Sequence, residues 1–371
     1  MYRRKRQIIE IPKLKMTKTR GMIGYRFLEI VDKEPFRKVS EVRNEFKPIV
    51  INDKQERAKR SPRLWKSYQK LRSTPAREEK LFDTEYCALR DFLETFDFVA
   101  PLGPRADEEI ALTYFGSKLL QICKESNVKN IFADSTKEFM ARVYIFIDNY
   151  KHWNFIQIIQ KKGPITIENF LTLLFRLGIG FDSEKIKRDI AAKPSFKRWL
   201  NEEWKKAHML APVDHNWKER MINAHAKDKA RENAYVSTLL NLYIDYGLVK
   251  KDNGLLYPNT SYIKQLQEKR FWITSDEVDP TLFFQEMYEA YRKLIRNRGV
   301  ISVPIPELRR ATCLRLNMPW YSFDRMLQKR PMGYKEYEVT LTRGSSRKKL
   351  DLSINSKYFY YIQLRKLHGG V

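Results

Sequence analysis

The amino-acid sequence predicts a mainly α-helical protein with small β-hairpins, an α+β chain made of several similar units. Apolar residues recur at helical spacing in most segments after residue 80, most regularly between Pro280 and Asn297. Short alternating runs follow several of these helices, and one run contains the hairpin turn Asp252-Asn253-Gly254. A hydrophobic content of 43% in 371 residues is sufficient for two or more packed cores.

Residues 1–80 are predicted to form a basic N-terminal arm rather than a packed core. Helical and strand periodicity is weak there, and short apolar runs alternate with cations. The segment holds 24 Lys and Arg against 10 Asp and Glu, a net charge of +14. We expect the arm to order against phosphate groups, with DNA contacts from Arg3, Arg4, Lys5, Arg6, Lys13, Lys15, Lys18 and Arg20.

The next two segments are predicted to contain small helical units that each end in a hairpin. Residues 81–130 form a winged-helix-like unit, in which Thr113 caps the helix that follows the hairpin. Residues 131–260 form a second and a third helix-turn-helix or winged-helix unit, with a charged helical connector at 182–230. The hairpin of the third unit carries two candidate DNA contacts, Lys250 and Lys251.

Residues 281–371 are predicted to form a C-terminal winged helix, because three helices are followed by alternating strand patterns. The stretch "VTLTRGSSRKKLDLSI", Val339 to Ile354, predicts a two-stranded hairpin that serves as the wing. Its turn carries no carboxylate, and we expect its four cations to lie along the DNA backbone. These four candidate contacts are Arg343, Arg347, Lys348 and Lys349.

The second and third helices of this C-terminal unit add further candidate DNA contacts. These are Arg309, Arg310, Arg315 and Arg325. Arg325 is the best candidate for a base contact, because an arginine can pair with guanine through two hydrogen bonds. For Arg309 and Arg310 the alternative is an ordinary surface pair with a carboxylate.

The distribution of charge points to a polyanionic partner. The formal net charge is +26, and residues 281–371 contribute 18 Lys and Arg against 7 Asp and Glu. The 200 residues between the two basic ends hold 29 cations and 28 carboxylates. A charge confined to the ends predicts binding to double-stranded DNA, although charge alone does not exclude RNA.

Other classes are disfavoured by composition and by the lack of motifs. Three widely spaced cysteines make neither a disulfide framework nor a zinc set, which fits a reducing cytoplasm. No apolar run approaches the length of a membrane helix, and the first residues do not resemble a signal peptide. We therefore expect a cytoplasmic protein without a cofactor, associated with the nucleoid if the source is prokaryotic.

A weak signal for metal-dependent cleavage lies at Glu45-Phe46-Lys47, a Glu-x-Lys triplet that precedes a strand-like apolar run. Nucleases use such groups when carboxylates converge on Mg²⁺. Triplets of this kind also arise by chance in a chain with 31% charged residues. Glu45 and Lys47 are therefore the only catalytic candidates, with Mg²⁺ as the cofactor in that case.

Three stretches follow one another in the middle of the chain: "LRDFLETFDFVAP…IALTYFGSKLL", "KEFMARVYIFIDNYKHWNFIQIIQKKGPITIENFLTLLFRLGI" and "ENAYVSTLLNLYIDYGLVKKDNGLLYP". Over residues 81–260, their pattern and order resemble the DNA-recognition half of type IIS restriction endonucleases. That half consists of consecutive winged-helix-like subdomains after an extended N-terminal region, so the resemblance implies sequence-specific binding in the major groove. The nuclease domain of that family, with its Asp…Glu-x-Lys metal site, is not recognisable in the last 90 residues.

The sequence thus favours a sequence-specific double-stranded DNA-binding protein over an enzyme. The resemblance suggests the DNA-recognition component of a restriction, defence or mobile-element system, with a nuclease or other protein subunit as a partner. Two alternatives remain: a DNA endonuclease or nickase of restriction type with an unrecognised metal site, and an RNA-binding scaffold.

Overall fold

A computed structural model of the chain is mainly α-helical with small antiparallel sheets, as the sequence predicts. The chain forms two compact units. Among the described residues, one unit contains 140–268, and the other contains 21–139 and 272–367. The structure describes residues 21–34, 37–72, 74–101, 109–151, 153–177, 179, 183–210, 216–231, 234–268, 272, 275–299, 301–344, 352–355 and 357–367.

The N-terminal module, residues 21–125, is built from helices around a three-stranded sheet in which β3 lies between β1 and β2. Its elements are α1 (Gly21–Asp32), β1 (Arg37–Lys38), α2 (Val39–Ala58), α3 (Pro62–Leu71), α4 (Pro75–Thr95), β2 (Val99–Pro101), β3 (Glu109–Leu112) and α5 (Tyr114–Glu125). Helix α5 begins as predicted, because the Thr113 hydroxyl accepts a hydrogen bond from the Gly116 N–H at 3.2 Å.

The expectation of an unpacked arm is wrong for residues 21–58. Phe27 on α1 and Phe46 on α2 are fully buried, with ring centroids 5.0 Å apart, and both rings contact Tyr86 of α4. The cations of α2 make this packing hard to predict from the local sequence, because the carboxylates that neutralise them come later in the chain. Arg43, for example, donates to Glu79 at 2.9 Å and to Asp83 at 2.6 Å. Residues 1–20 of the predicted arm lie outside the described residues.

The middle module, residues 155–258, belongs to the other compact unit and has a sheet in which β6 lies between β4 and β5. Helix α6 (Asp134–Tyr150) precedes it, and its elements are α7 (Phe155–Lys162), β4 (Ile165–Thr166), α8 (Ile167–Leu177), α9 (Ser183–Ala192), α10 (Pro194–Leu210), α11 (Trp217–Arg231), α12 (Ala234–Asp245), β5 (Val249–Asp252) and β6 (Leu255–Pro258). The predicted hairpin is confirmed: Asn253 and Gly254 have φ of 47° and 77° between β5 and β6.

The C-terminal module, residues 280–366, follows α13 (Thr260–Glu268) and has a sheet in which β12 lies between β7 and β9. Its elements are α14 (Pro280–Arg298), β7 (Val303–Pro304), α15 (Ile305–Leu316), α16 (Trp320–Lys329), β8 (Gly333–Tyr334), β9 (Tyr337–Thr342), β10 (Leu352–Ile354), β11 (Lys357–Phe359) and β12 (Tyr361–Lys366). The three predicted helices of this segment are therefore present in the predicted order.

The three modules share one order of elements. In each, a helix leads into a short strand, further helices follow, and the last strand pairs between the two earlier ones. They differ in their inserted helices. In the N-terminal module α3 is inserted before α4, and in the middle module α9 to α11 are inserted before α12. In the C-terminal module the insertion lies instead between strands β9 and β12.

The predicted pairing of residues 339–342 with residues 350–354 is wrong. Strand β9 pairs over six residues with β12, from Tyr337↔Lys366 to Thr342↔Tyr361, whereas β10 pairs with β11 as a separate short hairpin. The alternation correctly indicates the buried faces, since Val339, Leu352 and Ile354 all enter the core of the module. Alternation does not identify the partner strand, and the longer ladder lies further along the chain.

A buried carboxyl group joins three helices of the compact unit that contains the middle module. Asp148 of α6 is 1% exposed and accepts hydrogen bonds from the backbone N–H of Phe155 at 3.0 Å and of Ile156 at 3.2 Å. The hydroxyl of Tyr243 on α12 also donates to it at 3.2 Å. Burial raises the pKa of Asp148 to about 7, although all three hydrogen bonds lower it. Asp148 thus joins α6 to the N-terminus of α7 and to α12.

We expect this carboxyl group to make stability fall as pH rises. Between pH 4 and 7 the unfolded chain releases the Asp148 proton and the folded chain keeps it, so the free energy of unfolding decreases, by at most about 1.4 kcal/mol per pH unit. Asp148→Asn removes this contribution. Urea unfolding at several pH values from 5 to 8 checks it: the variant should show the flatter profile, and parallel profiles would contradict the assignment.

Candidate nucleic-acid interface

Helices α15 and α16 of the C-terminal module are joined by a tight turn. Asn317 ends α15 in the left-handed conformation, with φ of 51°, which asparagine tolerates better than most residues. The Met318 N–H then donates to the Cys313 carbonyl at 3.0 Å, and Pro319 leads directly into α16. The turn of three residues fixes the direction in which α16 leaves α15.

An ion pair between a buried arginine and a partly exposed aspartate holds α16 against α15. Arg309 is 2% exposed, and its Nε lies 2.7 Å from Oδ1 of Asp324 on α16. The guanidinium group also lies over the Trp320 ring, 5.4 Å from its centroid. Arg309 therefore acts inside the protein and is not positioned to reach DNA, contrary to its selection as a contact from the sequence.

The outward face of α16 carries polar and cationic side chains. Arg325, Gln328 and Lys329 are exposed, and Tyr321 is half-buried one turn earlier. The single carboxylate of α16, Asp324, is already paired with Arg309. Outside the helix, Asp276 lies 3.9 Å from Arg325 and 2.7 Å from Lys329. Because these side chains are exposed, such pairs are weak and can be exchanged for other anions.

The chain between β9 and β12 returns to the side of α16. Leu352 and Ile354 of β10 are buried in the module core, and the Gln328 carboxamide nitrogen donates to the Ser353 carbonyl at 2.9 Å. Arg343 leaves β9 as an exposed side chain, and Lys357 is exposed on β11. Arg347, Lys348 and Lys349 lie outside the described residues.

Two other arginines selected from the sequence are held by contacts within the protein. Arg310 is partly buried, and its Nε donates to the Leu112 carbonyl of β3 at 3.1 Å, which joins the N-terminal and C-terminal modules. Arg315 is exposed but lies 2.5 Å from Glu286 of α14. Arg310 thus supports the assembly of this compact unit, whereas Arg315 forms a surface pair.

In the middle module, Lys250 and Lys251 lie on β5 next to the hairpin turn. Both side chains are exposed, and neither forms an ion pair within the described residues. Asp252 and Asn253 follow directly at the turn. The two lysines therefore remain accessible to an anionic partner.

The two catalytic candidates, Glu45 and Lys47, are both engaged in ion pairs. The triplet lies inside helix α2 rather than before a strand, so Glu45 and Lys47 point in different directions. Glu45 pairs with Lys33 and, at 2.8 Å, with Arg37; these contacts lower its pKa. Lys47 pairs with Glu79 at 2.6 Å. Across the described ranges, no group of three or more His, Cys, Asp or Glu could hold a metal ion.

The sequence does not single out the cations around helix α3 as separate candidates for DNA contacts. The segment from Lys59 to Arg72 holds six Lys and Arg and no carboxylate. That run is visible in the sequence, but it is indistinguishable there from the rest of the predicted arm. Lys329 and Lys357 were also missed, because isolated lysines on a basic chain give no signal of their own.

Comparisons with known proteins identify no relative of this chain. No protein-family model, curated protein or solved structure matches this chain. Within the ranges that the structure describes, no helix combines the length and apolar character needed to cross a membrane.

We expect Asp324→Asn to destabilise the protein by about 3 kcal/mol, because the buried Arg309 guanidinium then loses its counter-charge. Glu286→Gln, which breaks the exposed pair with Arg315 in the same module, is the matched control and should cost less than about 1 kcal/mol. Chemical denaturation measures both. Equal effects would mean that Arg309 does not depend on Asp324.

Proposed function

We propose that this chain is a sequence-specific double-stranded DNA-binding protein whose three modules are winged-helix units. The observation that carries the proposal is the order of elements in the C-terminal module. A helix, a short strand, two helices joined by a tight turn and a sheet with the last strand in the centre make up the winged-helix arrangement. In this proposal α16, the helix that follows the tight turn, is the recognition helix.

The exposed side chains of α16 suit the major groove. An α-helix about 10–12 Å across fits a groove about 12 Å wide. Arg325 can donate two hydrogen bonds to the O6 and N7 atoms of guanine, and Gln328 can pair with adenine. Lys329 lies one turn beyond Arg325, where it can bind a phosphate. The helix therefore supplies both base contacts and positioning contacts.

The segment between β9 and β12 is the proposed wing of this module. Arg343 after β9 and Lys357 on β11 are exposed, and the predicted contacts Arg347, Lys348 and Lys349 lie between them in the sequence. Lys250 and Lys251 make the corresponding contact from the middle module. Arg3 to Arg20 remain proposed phosphate contacts on the basis of the sequence.

Binding without catalysis is the better-supported function. Glu45 and Lys47 are engaged in ion pairs on a helix, which gives no support to the endonuclease alternative. The restriction, defence or mobile-element setting rests on the sequence resemblance of residues 81–260. In that setting a separate nuclease subunit cleaves the DNA.

We expect Arg325→Ala to weaken binding to the preferred duplex by about 1–3 kcal/mol, or roughly 5- to 150-fold, with relaxed preference at one guanine position. Arg292→Ala on α14 removes an exposed arginine from the same module and should leave the preference unchanged. Fluorescence anisotropy with the preferred duplex and its single-base variants measures both.

Two results would count against this proposal. A uniform loss across all duplexes in the Arg325 variant would make Arg325 a phosphate contact rather than a base contact. Stronger binding to structured RNA than to any duplex, in direct competition, would favour the RNA-binding alternative, since winged helices and basic surfaces can serve either polymer.

A further inference from the structure

The segment from Lys59 to Arg72, which contains helix α3, carries a dense positive charge of six cations and no carboxylate. Lys59 pairs with Glu56 at 2.7 Å and Arg72 with Glu78 at 2.7 Å, both at the ends of the segment. Lys70 also has an interaction within the protein. The other three cations, Arg60, Arg63 and Lys66, are exposed and form no ion pair with any residue that the structure describes.

These cations are presented on a fixed support. Tyr68 of α3 is 6% exposed and its hydroxyl donates to the Ile51 carbonyl of α2 at 3.4 Å. The Trp65 ring stacks on Tyr68 with centroids 5.7 Å apart. Because one face of α3 is anchored on α2, the backbone that carries Arg63 and Lys66 is already ordered before binding.

Helix α4, the helix before β2 in the N-terminal module, is not suited to the role that α16 has in the C-terminal module. Helix α4 stands at the same point in the order of elements, but it carries Glu79 and Asp83, which are half-exposed where they pair with Arg43 of α2. Carboxylates on this face repel phosphate groups. The inserted helix α3 supplies the cations that α4 lacks.

We infer that α3 is a second DNA-binding element, which contacts the sugar–phosphate backbone of a duplex and does not read its bases. The inference rests on the proposed function and assigns a different task to each end of one compact unit. The C-terminal module selects the sequence, and the N-terminal module adds affinity that is independent of sequence. Both modules belong to the same compact unit, in which Arg310 of α15 donates to the Leu112 carbonyl of β3.

The test uses the full chain with Arg60, Arg63 and Lys66 replaced by Gln. Removal of one phosphate contact should reduce the slope of log K against log salt by about 0.9, so the three substitutions together should reduce it by up to about 2.7. The reduction should be equal for the preferred and an unrelated duplex, with their affinity ratio unchanged. The doubly substituted R60K/R63K chain keeps the charge and should behave like the unmodified protein.

A matched control removes three exposed cations from α14 of the C-terminal module, Arg292, Lys293 and Arg296, and should leave the slope nearly unchanged. An unchanged slope in the α3 variant, or an equal reduction in the control, would overturn the inference while the proposed function stands. A fall in the affinity ratio would show base reading by α3 and would also overturn it. Failure of the unmodified protein to bind any duplex would instead overturn the proposed function.

The exposed Leu64 beside Trp65 and the cations makes an anionic membrane surface the competing partner. Sedimentation with vesicles of phosphatidylserine and phosphatidylcholine tests it. Vesicle binding that is abolished in the α3 variant, together with an unchanged DNA salt slope, would assign α3 to the membrane. No sedimentation of the unmodified protein, with the expected change in slope, supports the DNA contact.

Discussion

The pairing of the last strand between two earlier strands determines what each module can present to a partner. In the C-terminal module, β12 pairs with β9 along one edge and with β7 along the other, at Ile362↔Leu341 and Ile362↔Val303. The chain must therefore leave the sheet after Thr342 and return at Tyr361. Strand β10, which follows the basic stretch in the sequence, pairs with β11 and not with β9. Its Leu352 and Ile354 are buried in the module core, and the Ser353 carbonyl accepts a hydrogen bond from Gln328 of α16.

The number of cations available to a partner depends on how many of them already pair with carboxylates within the fold. In the N-terminal module, Arg43 and Lys47 of α2 pair with carboxylates of α4, and Lys54 pairs with the nearly buried Glu85 at 2.5 Å. Many of the cations that the structure describes between residues 21 and 80 are therefore neutralised by carboxylates of the fold. Arg63 and Lys66 of α3 form no ion pair within the described residues, whereas Arg325 and Lys329 of α16 pair with the exposed Asp276. Both sets lie at the surface and are available to a polyanion.

The sequence predicts the helical elements of the C-terminal module and the hairpin at Asn253-Gly254 well, because apolar periodicity and turn residues are local signals. Prediction from the sequence fails where strand pairing or helix packing depends on segments that are distant in the chain. The pairing of β9 with β12 rather than β10, and the packing of α1 and α2 against α4, both join segments far apart in the chain. The same limit applies to the site. Arg325 could be selected as an exposed helix residue, but the burial of Arg309 depends on Asp324 fifteen positions later.

Selection of bound duplexes from a random DNA pool, with and without Mg²⁺, tests sequence-specific binding most directly. We expect one enriched motif whose duplexes keep intact ends under both conditions. Tight binding at low salt without any enriched motif would contradict sequence-specific recognition and leave only electrostatic attraction. Enrichment with cuts at a fixed distance from the motif in Mg²⁺ would contradict the non-enzymatic assignment.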